Sequence, residues 1–109
     1  MRGIGIDIVS VSRLNAKVAD KILSKKEMVE FTSYMKVNKV RAMEFLAGRL
    51  ACKEAYLKAV GVGTYEGVSL VDLSIYKDEN GVPKFKGIPN AHVTCSHDLG
   101  VAVAVVILE

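Results

Sequence analysis

The sequence predicts an α+β fold: an N-terminal strand, helices including one long central helix, and then antiparallel β-strands. Three observations carry this expectation. Residues 3–11, GIGIDIVSV, alternate with a period of two; residues 39–60 form a long helical pattern between an Asn cap and a Gly stop; and the second half breaks into short alternating runs around turn residues. The chain has 109 residues and no repeat, low-complexity tract or linker, so 1–109 reads as one domain.

In the first strand Ile4, Ile6 and Ile8 share one parity, which puts Asp7 on the opposite face with Gly5 and Val9. Ser10 or Ser12 can cap a following helix over 13–23. Ser24-Lys25-Lys26-Glu27 has the spacing of a capping box and starts a second, short helix. Asn38 caps the third and longest helix, which runs to Ala59 or Val60 and stops at Gly61. Residues 68–77 alternate with Val71, Leu73 and Ile75 on one face. Asn80-Gly81 then signals a hairpin that returns at 84–86. Two final strands, 92–96 and 101–108, are joined by His97-Asp98-Leu99-Gly100.

Bulk properties set limits on function. Half the residues are apolar and a quarter charged, which argues against disorder. A chain this short buries a modest core, so self-association is expected. A net charge of +3 is too mild to mark a nucleic-acid binder. Cys52 and Cys95 have neither metal-ligand spacing nor the density of a disulfide scaffold, and read as reduced thiols of a cytoplasmic protein. Asp7 interrupts the N-terminal apolar run too early for a signal peptide, and the C-terminal run is too short to cross a bilayer. A soluble protein with no membrane association is expected.

The chemistry centres on Glu54. On a helical wheel at about 100° per residue, Ala47, Leu50, Ala51 and Leu57 lie within roughly 60° of it, and Lys58 follows one turn on. A carboxylate in an apolar stripe costs several kcal/mol unless a cation compensates, roughly as for any buried charge. Small residues surround it, and Gly48 inside the helix suggests a close approach by another backbone. Asp7 is equally out of place in a β-run. Each has an ordinary alternative: a helical ion pair for Glu54, and the solvent face of an edge strand for Asp7. Together they are a minimal carboxylate pair for Mg²⁺, and with Lys58 they suit a polyphosphate ligand. Gly61-Val62-Gly63-Thr64 is either the helix cap alone or a segment that lets a ligand approach the backbone. Ser96-His97 is either a surface feature or a hydrogen-bonding pair for a phosphate or base. Arg13, Lys17, Lys21 and Lys25, four apart, would form a basic stripe beside Leu14, Val18 and Ile22: a solvated face, or a surface for an acidic protein or nucleic acid. No aromatic residues interleave with these cations, which disfavours single-stranded nucleic acid.

Taken together the motifs resemble the holo-acyl-carrier-protein synthases, the short bacterial type of 4′-phosphopantetheinyl transferase. The resemblance rests on Gly5-Ile6-Asp7-Ile8, Arg13, Glu44-Phe45-Leu46-Ala47-Gly48-Arg49 with Lys53-Glu54-Ala55 and Lys58, Gly61-x-Gly63, and His92-Val93-Thr94-Cys95-Ser96-His97. It covers essentially the whole chain. It implies the 4′-phosphopantetheinyl transferase fold and a homotrimer with active sites at the subunit interfaces. The implied reaction is Mg²⁺-dependent transfer of 4′-phosphopantetheine from coenzyme A to a serine of apo-acyl carrier protein, releasing adenosine 3′,5′-bisphosphate and serving fatty acid biosynthesis. By this resemblance Asp7 and Glu54 hold the metal, and Lys58 meets the transferred phosphate. Arg49, Gly61, Gly63, Ser96 and His97 lie in segments that hold coenzyme A. Arg13 meets the acidic carrier protein, with Lys17 and Lys21 extending that surface, and nucleic acid is not an expected partner. Asp7, Glu54 or a water on the metal takes the serine proton. Two departures stand out: the segment before Ser24 is several residues short, and Cys52 replaces a small apolar residue. Other readings are a non-catalytic basic oligomer that binds a nucleotide or nucleic acid, and a metal-dependent phosphohydrolase.

Overall fold

The computed structural model describes residues 1–61 and 69–109. Gly63, Thr64 and the first residue of the expected strand 68–77 lie outside the described residues. The N-terminal alternation becomes β1 (Gly3–Ser10), which pairs antiparallel with β5 (Val101–Leu108), itself paired with β4 (Ala91–Asp98), giving a sheet of order β1-β5-β4. Between β1 and that sheet's other strands lie α1 (Ala19–Ile22), α2 (Lys25–Val37), α3 (Lys39–Val60) and a separate ribbon of β2 (Ile75–Lys77) and β3 (Pro83–Phe85). The α+β class expected from the sequence is the one observed.

The long helix lies across the sheet on small side chains. Ala47, Ala51, Ala55 and Ala59 of α3 and Ala102 and Ala104 of β5 are all buried in one core. Register puts Asp7 and Cys95 on either side of Ala104, so both project from the sheet face that meets α3. Contact is closest at β1, where a Cβ on Gly5 would overlap the Ala55 carbonyl oxygen and one on Gly3 the Ala59 carbonyl oxygen. The strand supplies the glycines for this approach. Gly48, expected to admit a backbone, instead faces the Cys95 Sγ at ordinary van der Waals range, 3.7 Å from where its Cβ would be. The opposite sheet face is apolar and open, with Ile4, Ile6 and Ile8 58%, 59% and 67% exposed.

Both expected helix caps for α2 and α3 form. Ser24 and Glu27 make the reciprocal capping box of α2, and the Asn38 side chain accepts from the Arg41 N–H at 3.2 Å. Gly61 ends α3 with φ 127°, where a side chain would be strained.

Three local expectations change. The helix over 13–23 is broken into 3₁₀ turns at Val11–Arg13 and Ala16–Val18 and the single turn of α1. Asn15 is extended and its side chain accepts from the Lys17 N–H, starting a new turn, while neither Ser10 nor Ser12 caps a helix. Leu14, Val18 and Ile22 still face a core, but the basic residues no longer share one helical stripe. In 68–77, a 3₁₀ turn at Leu70–Asp72 precedes the three-residue β2, because the Asp72 and Leu73 N–H groups bond locally to Ser69 and Leu70. Leu73 and Ile75 are nonetheless buried, as their alternation implied. Finally, β4 continues through His97 and Asp98, so the joining turn is only Leu99-Gly100, both at positive φ (51° and 76°). The hairpin at Asn80-Gly81 closes as expected, with the Gly81 N–H donating to the Asp78 carbonyl at 2.9 Å.

A buried ion cluster joins the helices to β2. Glu27 is wholly buried; it accepts from Lys53 Nζ at 2.6 Å, from the Ser24 N–H at 2.8 Å and from the Ile75 N–H at 3.1 Å. Lys53 Nζ also donates to the Ile22 carbonyl at 2.6 Å. Burial pulls the Lys53 ammonium below its ordinary pKa, and the Glu27 carboxylate opposes that shift.

Two outcomes follow from this packing. Gly5→Ala should lower unfolding free energy by about 1–3 kcal/mol, because the new methyl group meets a backbone carbonyl; urea unfolding at equilibrium reads the change, and an unshifted midpoint would contradict the close approach. Lys53→Met should cost about 3–5 kcal/mol, since it strands a buried carboxylate, and the same measurement tests it.

Candidate functional site

The β1–α3 contact brings the out-of-place acids together. Asp7 points from β1 towards the helix, and Glu54 and Lys58 project from successive turns of α3. Lys58 Nζ donates to Asp7 Oδ1 at 3.1 Å, with the Asp7 side chain 16% and the Lys58 side chain 48% exposed. Glu54 is half-buried, and its carboxyl is pushed above the ordinary range, first by burial and then by the negative charge of Asp7; Lys58 pulls the other way. Asp7 is therefore not on a solvent face, and Glu54 is not in a simple helical pair. Two mutually repelling carboxylates with hard oxygen donors fit a divalent cation that takes its remaining ligands from water and phosphate. Among the described residues no group of three or more His, Cys, Asp and Glu is placed to hold a metal, so any ion here rests on this pair.

A second feature lies further back along α3. A pocket of about 230 Å³ is lined by residues from α2, α3, β2, β3 and β4, including Glu44, Arg49, Lys77, Cys95 and His97. The Arg49 guanidinium lies 4.6 Å from the Phe45 ring centre, with Nε 3.4 Å from Glu27 Oε2 but without a hydrogen bond, so a buried donor remains unsatisfied. His97 Nδ1 is 3.6 Å from Glu44 Oε2. The Cys95 thiol is lowered to about 6, first by the neighbouring Cys52 thiol and then by the positive charge of Arg49, His97 and Lys77, with burial opposing the shift. The buried Cys52 thiol is pushed well above its ordinary value by that same pairing and by burial. A pocket with three cations, Arg41, Arg49 and Lys77, and the aromatic rings of Tyr34 and Phe45 suits a phosphate-bearing, aromatic ligand.

The expected residues thus fall into separate groups. Asp7, Glu54 and Lys58 are together, with Gly61 at the end of the same helix; Arg49 and His97 share the pocket. From Arg49 to Lys58 is about 13 Å along a helix axis, and β5 separates the strands that carry Asp7 and His97. Ser96 points to the opposite sheet face, in register with Val103 and Ile8, and does not join His97 in the pocket. Arg13, Lys17 and Lys21 are exposed on three different short elements. Gly63 lies outside the described residues.

Sequence reasoning passed over Glu27 and Lys53 as interacting charges. Glu27 carried the visible signature of a cap, which it satisfies with one oxygen while the other reaches Ile75. Lys77 and Cys95 in the pocket had no local signal, because they come from strands remote in sequence.

Comparison with known proteins agrees with this fold. Residues 3–106 match the family model of the 4′-phosphopantetheinyl transferase superfamily. The holo-[acyl-carrier-protein] synthase of Staphylococcus carnosus is 40% identical over 115 residues, covering 98% of this chain and 96% of the relative. The same enzyme from a Geobacillus species is 42% identical over 118 residues, covering 98% and 95%. A crystal structure of the holo-(acyl-carrier-protein) synthase from Bacillus anthracis, in complex with CoA (3′,5′-ADP), superposes with a TM-score of 0.87 at 37% identity, covering 99% of this chain and 96% of that one. With the family model, the sequence relatives and the fold in agreement, this chain belongs to the holo-[acyl-carrier-protein] synthase family of the 4′-phosphopantetheinyl transferase superfamily.

Proposed function

We propose that this enzyme transfers the 4′-phosphopantetheine group of coenzyme A to a serine of apo-acyl carrier protein, releasing adenosine 3′,5′-bisphosphate, in the cytoplasm and in support of fatty acid biosynthesis. The observation that carries the reading is the Asp7–Lys58–Glu54 set, held together by the glycine-tight contact of β1 with α3. Asp7 and Glu54 would hold Mg²⁺, which when bound neutralises charge on the pyrophosphate oxygens. Lys58 spends one of its three N–H donors on Asp7, leaving two for a phosphate at the half-exposed end of its side chain. Glu54, more basic than an ordinary glutamate, is the better placed carboxylate to accept the serine proton. Arg49, Lys77 and His97 would receive the phosphorylated adenosine end of coenzyme A in their pocket.

The separation of that pocket from the acids supports a trimer in which one site draws on two copies. The open Ile4-Ile6-Ile8 face, continuous with the half-exposed Val103 and Val105, is an apolar surface that another copy would cover, and Ser96 lies on it. Arg13, Lys17 and Lys21 would steer the acidic carrier protein. Arg13 follows β1 directly, so a carrier docked there stands near the end of the strand that holds Asp7.

Incubating the protein with apo-acyl carrier protein, coenzyme A and Mg²⁺ should add the phosphopantetheine mass to the carrier. Coenzyme A binding without transfer would leave a non-catalytic binder, and coenzyme A breakdown without carrier a phosphohydrolase.

Glu54→Gln should abolish turnover. Metal binding retained in calorimetry assigns Glu54 the proton-accepting role, whereas its loss assigns a ligand role. Because its pKa is raised in the folded chain, Glu54 favours stability below its unfolded pKa, and that contribution is lost as pH rises through the folded value. In chelator at neutral pH, Glu54→Gln should therefore raise the melting temperature. The pH sign reverses for Mg²⁺ affinity, which should fall on acidification at a higher pH than for an ordinary glutamate.

Arg13→Glu should raise KM for the carrier about tenfold or more, as reversal of a steering charge does, with kcat little changed and KM for coenzyme A unaffected. Initial rates against carrier concentration at two ionic strengths would measure this.

A further inference from the structure

Glu27 is wholly buried and belongs neither to the acid pair nor to the lining of the Arg49 pocket. Its two oxygens have different partners. Oε1 accepts from Lys53 Nζ at 2.6 Å and from the Ser24 N–H at 2.8 Å. Oε2 accepts from the Ile75 N–H at 3.1 Å and lies 3.4 Å from Arg49 Nε. One buried carboxylate thus stands behind two buried cations, and Arg49 Nε approaches it without a hydrogen bond. The trio keeps a net positive charge, and Arg49 is the member that meets the pocket.

Arg49 has competing partners. Glu30 and Glu44 line the same pocket, and Glu44 Oε2 already stands 3.6 Å from His97 Nδ1. A guanidinium released from Glu27 would turn to these carboxylates, because a buried cation needs a negative charge close by. An arginine–carboxylate pair formed inside the pocket would be closed to a phosphate. Glu27 behind Arg49, with the Phe45 ring centre 4.6 Å from the guanidinium, keeps the pocket from that collapse.

We propose that Glu27 is a positioning residue for coenzyme A, whose buried carboxylate holds the Arg49 guanidinium ready for the phosphorylated adenosine end. This rests on the reading that the Arg49 pocket receives that end. Glu27 touches no substrate in this account and acts through Arg49 alone.

The test is calorimetric binding of adenosine 3′,5′-bisphosphate to the full chain. Glu27→Gln combined with Lys53→Met removes both members of the buried pair, and the glutamine oxygen can still accept from the Ile75 N–H. Glu27→Asp keeps the charge but withdraws it from Arg49 by one methylene, and serves if the paired variant does not fold. Each is made with and without Arg49→Ala, which leaves the Glu27–Lys53 pair in place, and circular dichroism establishes which proteins are folded. Arg49→Ala and the paired variant should each weaken binding about tenfold or more, and Glu27→Asp should weaken it in the same direction. Neither Glu27 change should weaken it further once Arg49 is alanine, a result that a general loss of packing would not give. In the transfer assay, KM for coenzyme A should rise by the same factor with kcat kept. Undiminished binding by the folded Glu27 variants, losses that multiply with Arg49→Ala, or a fall in kcat with KM unchanged would overturn the proposal. Absence of binding by the unaltered chain would overturn the pocket's assignment as well, whereas binding that tolerates the Glu27 changes overturns the positioning role alone.

Discussion

The close approach of β1 to α3 is the contact on which the rest depends. Gly3 and Gly5 leave room for the Ala59 and Ala55 carbonyls, and the alanines of α3 and β5 keep the helix down against the sheet. Close packing of small residues is ordinary in a core, where large side chains would hold the backbones apart. Here it also brings an acid from the first strand to within hydrogen-bonding distance of a lysine on the longest helix. Any larger residue at Gly5 moves the strand and separates the groups of the site.

The protein handles its charges in two ways. Glu27, Lys53 and the adjacent Arg49 are buried, and Glu27 and Lys53 have their needs met by one another and by backbone groups of Ser24, Ile22 and Ile75. That cluster fastens the helices to the ribbon and fixes the base of Arg49, whose guanidinium then reaches the pocket over Phe45. Asp7 and Glu54 are arranged differently: half-buried, close enough for like-charge repulsion, and compensated only partly by Lys58. Satisfied charge stabilises the scaffold; incompletely compensated charge is available to bind a ligand.

The sheet has two unlike faces. One carries Asp7, Ala104 and Cys95 beneath α3, so a single register row runs from the acid of β1 to the pocket cysteine of β4. The other exposes three isoleucines and has no layer covering it among the described residues. This open apolar face is the one that the proposed trimer would cover, and the distance between the acids and the Arg49 pocket is what a site shared between two copies would bridge.

Much of this was legible in the chain itself. Local rules settle the caps at Ser24 and Asn38, the stop at Gly61 and the strand parity of Ile4, Ile6 and Ile8, because each depends on neighbours only a few residues away. The motif around Asp7, Glu54 and Lys58 was also visible, since a charge among apolar residues is anomalous whatever it touches. Folding decided what required partners remote in sequence. Local bonding overrode the sequence expectation in two places. The Lys17 N–H bond to Asn15 broke the first helix and its basic stripe, and the two-residue turn at Leu99-Gly100 let β4 continue, with His97 on the pocket side and Ser96 on the opposite sheet face. Tertiary packing likewise placed the glycine contact on β1 rather than at Gly48 and gave Glu27 to Lys53. Sequence alone could determine which residues were out of place, because hydrophobic periodicity is local; which of them meet is determined by the packing of α3 on the sheet, where backbone clearance and register set the distances.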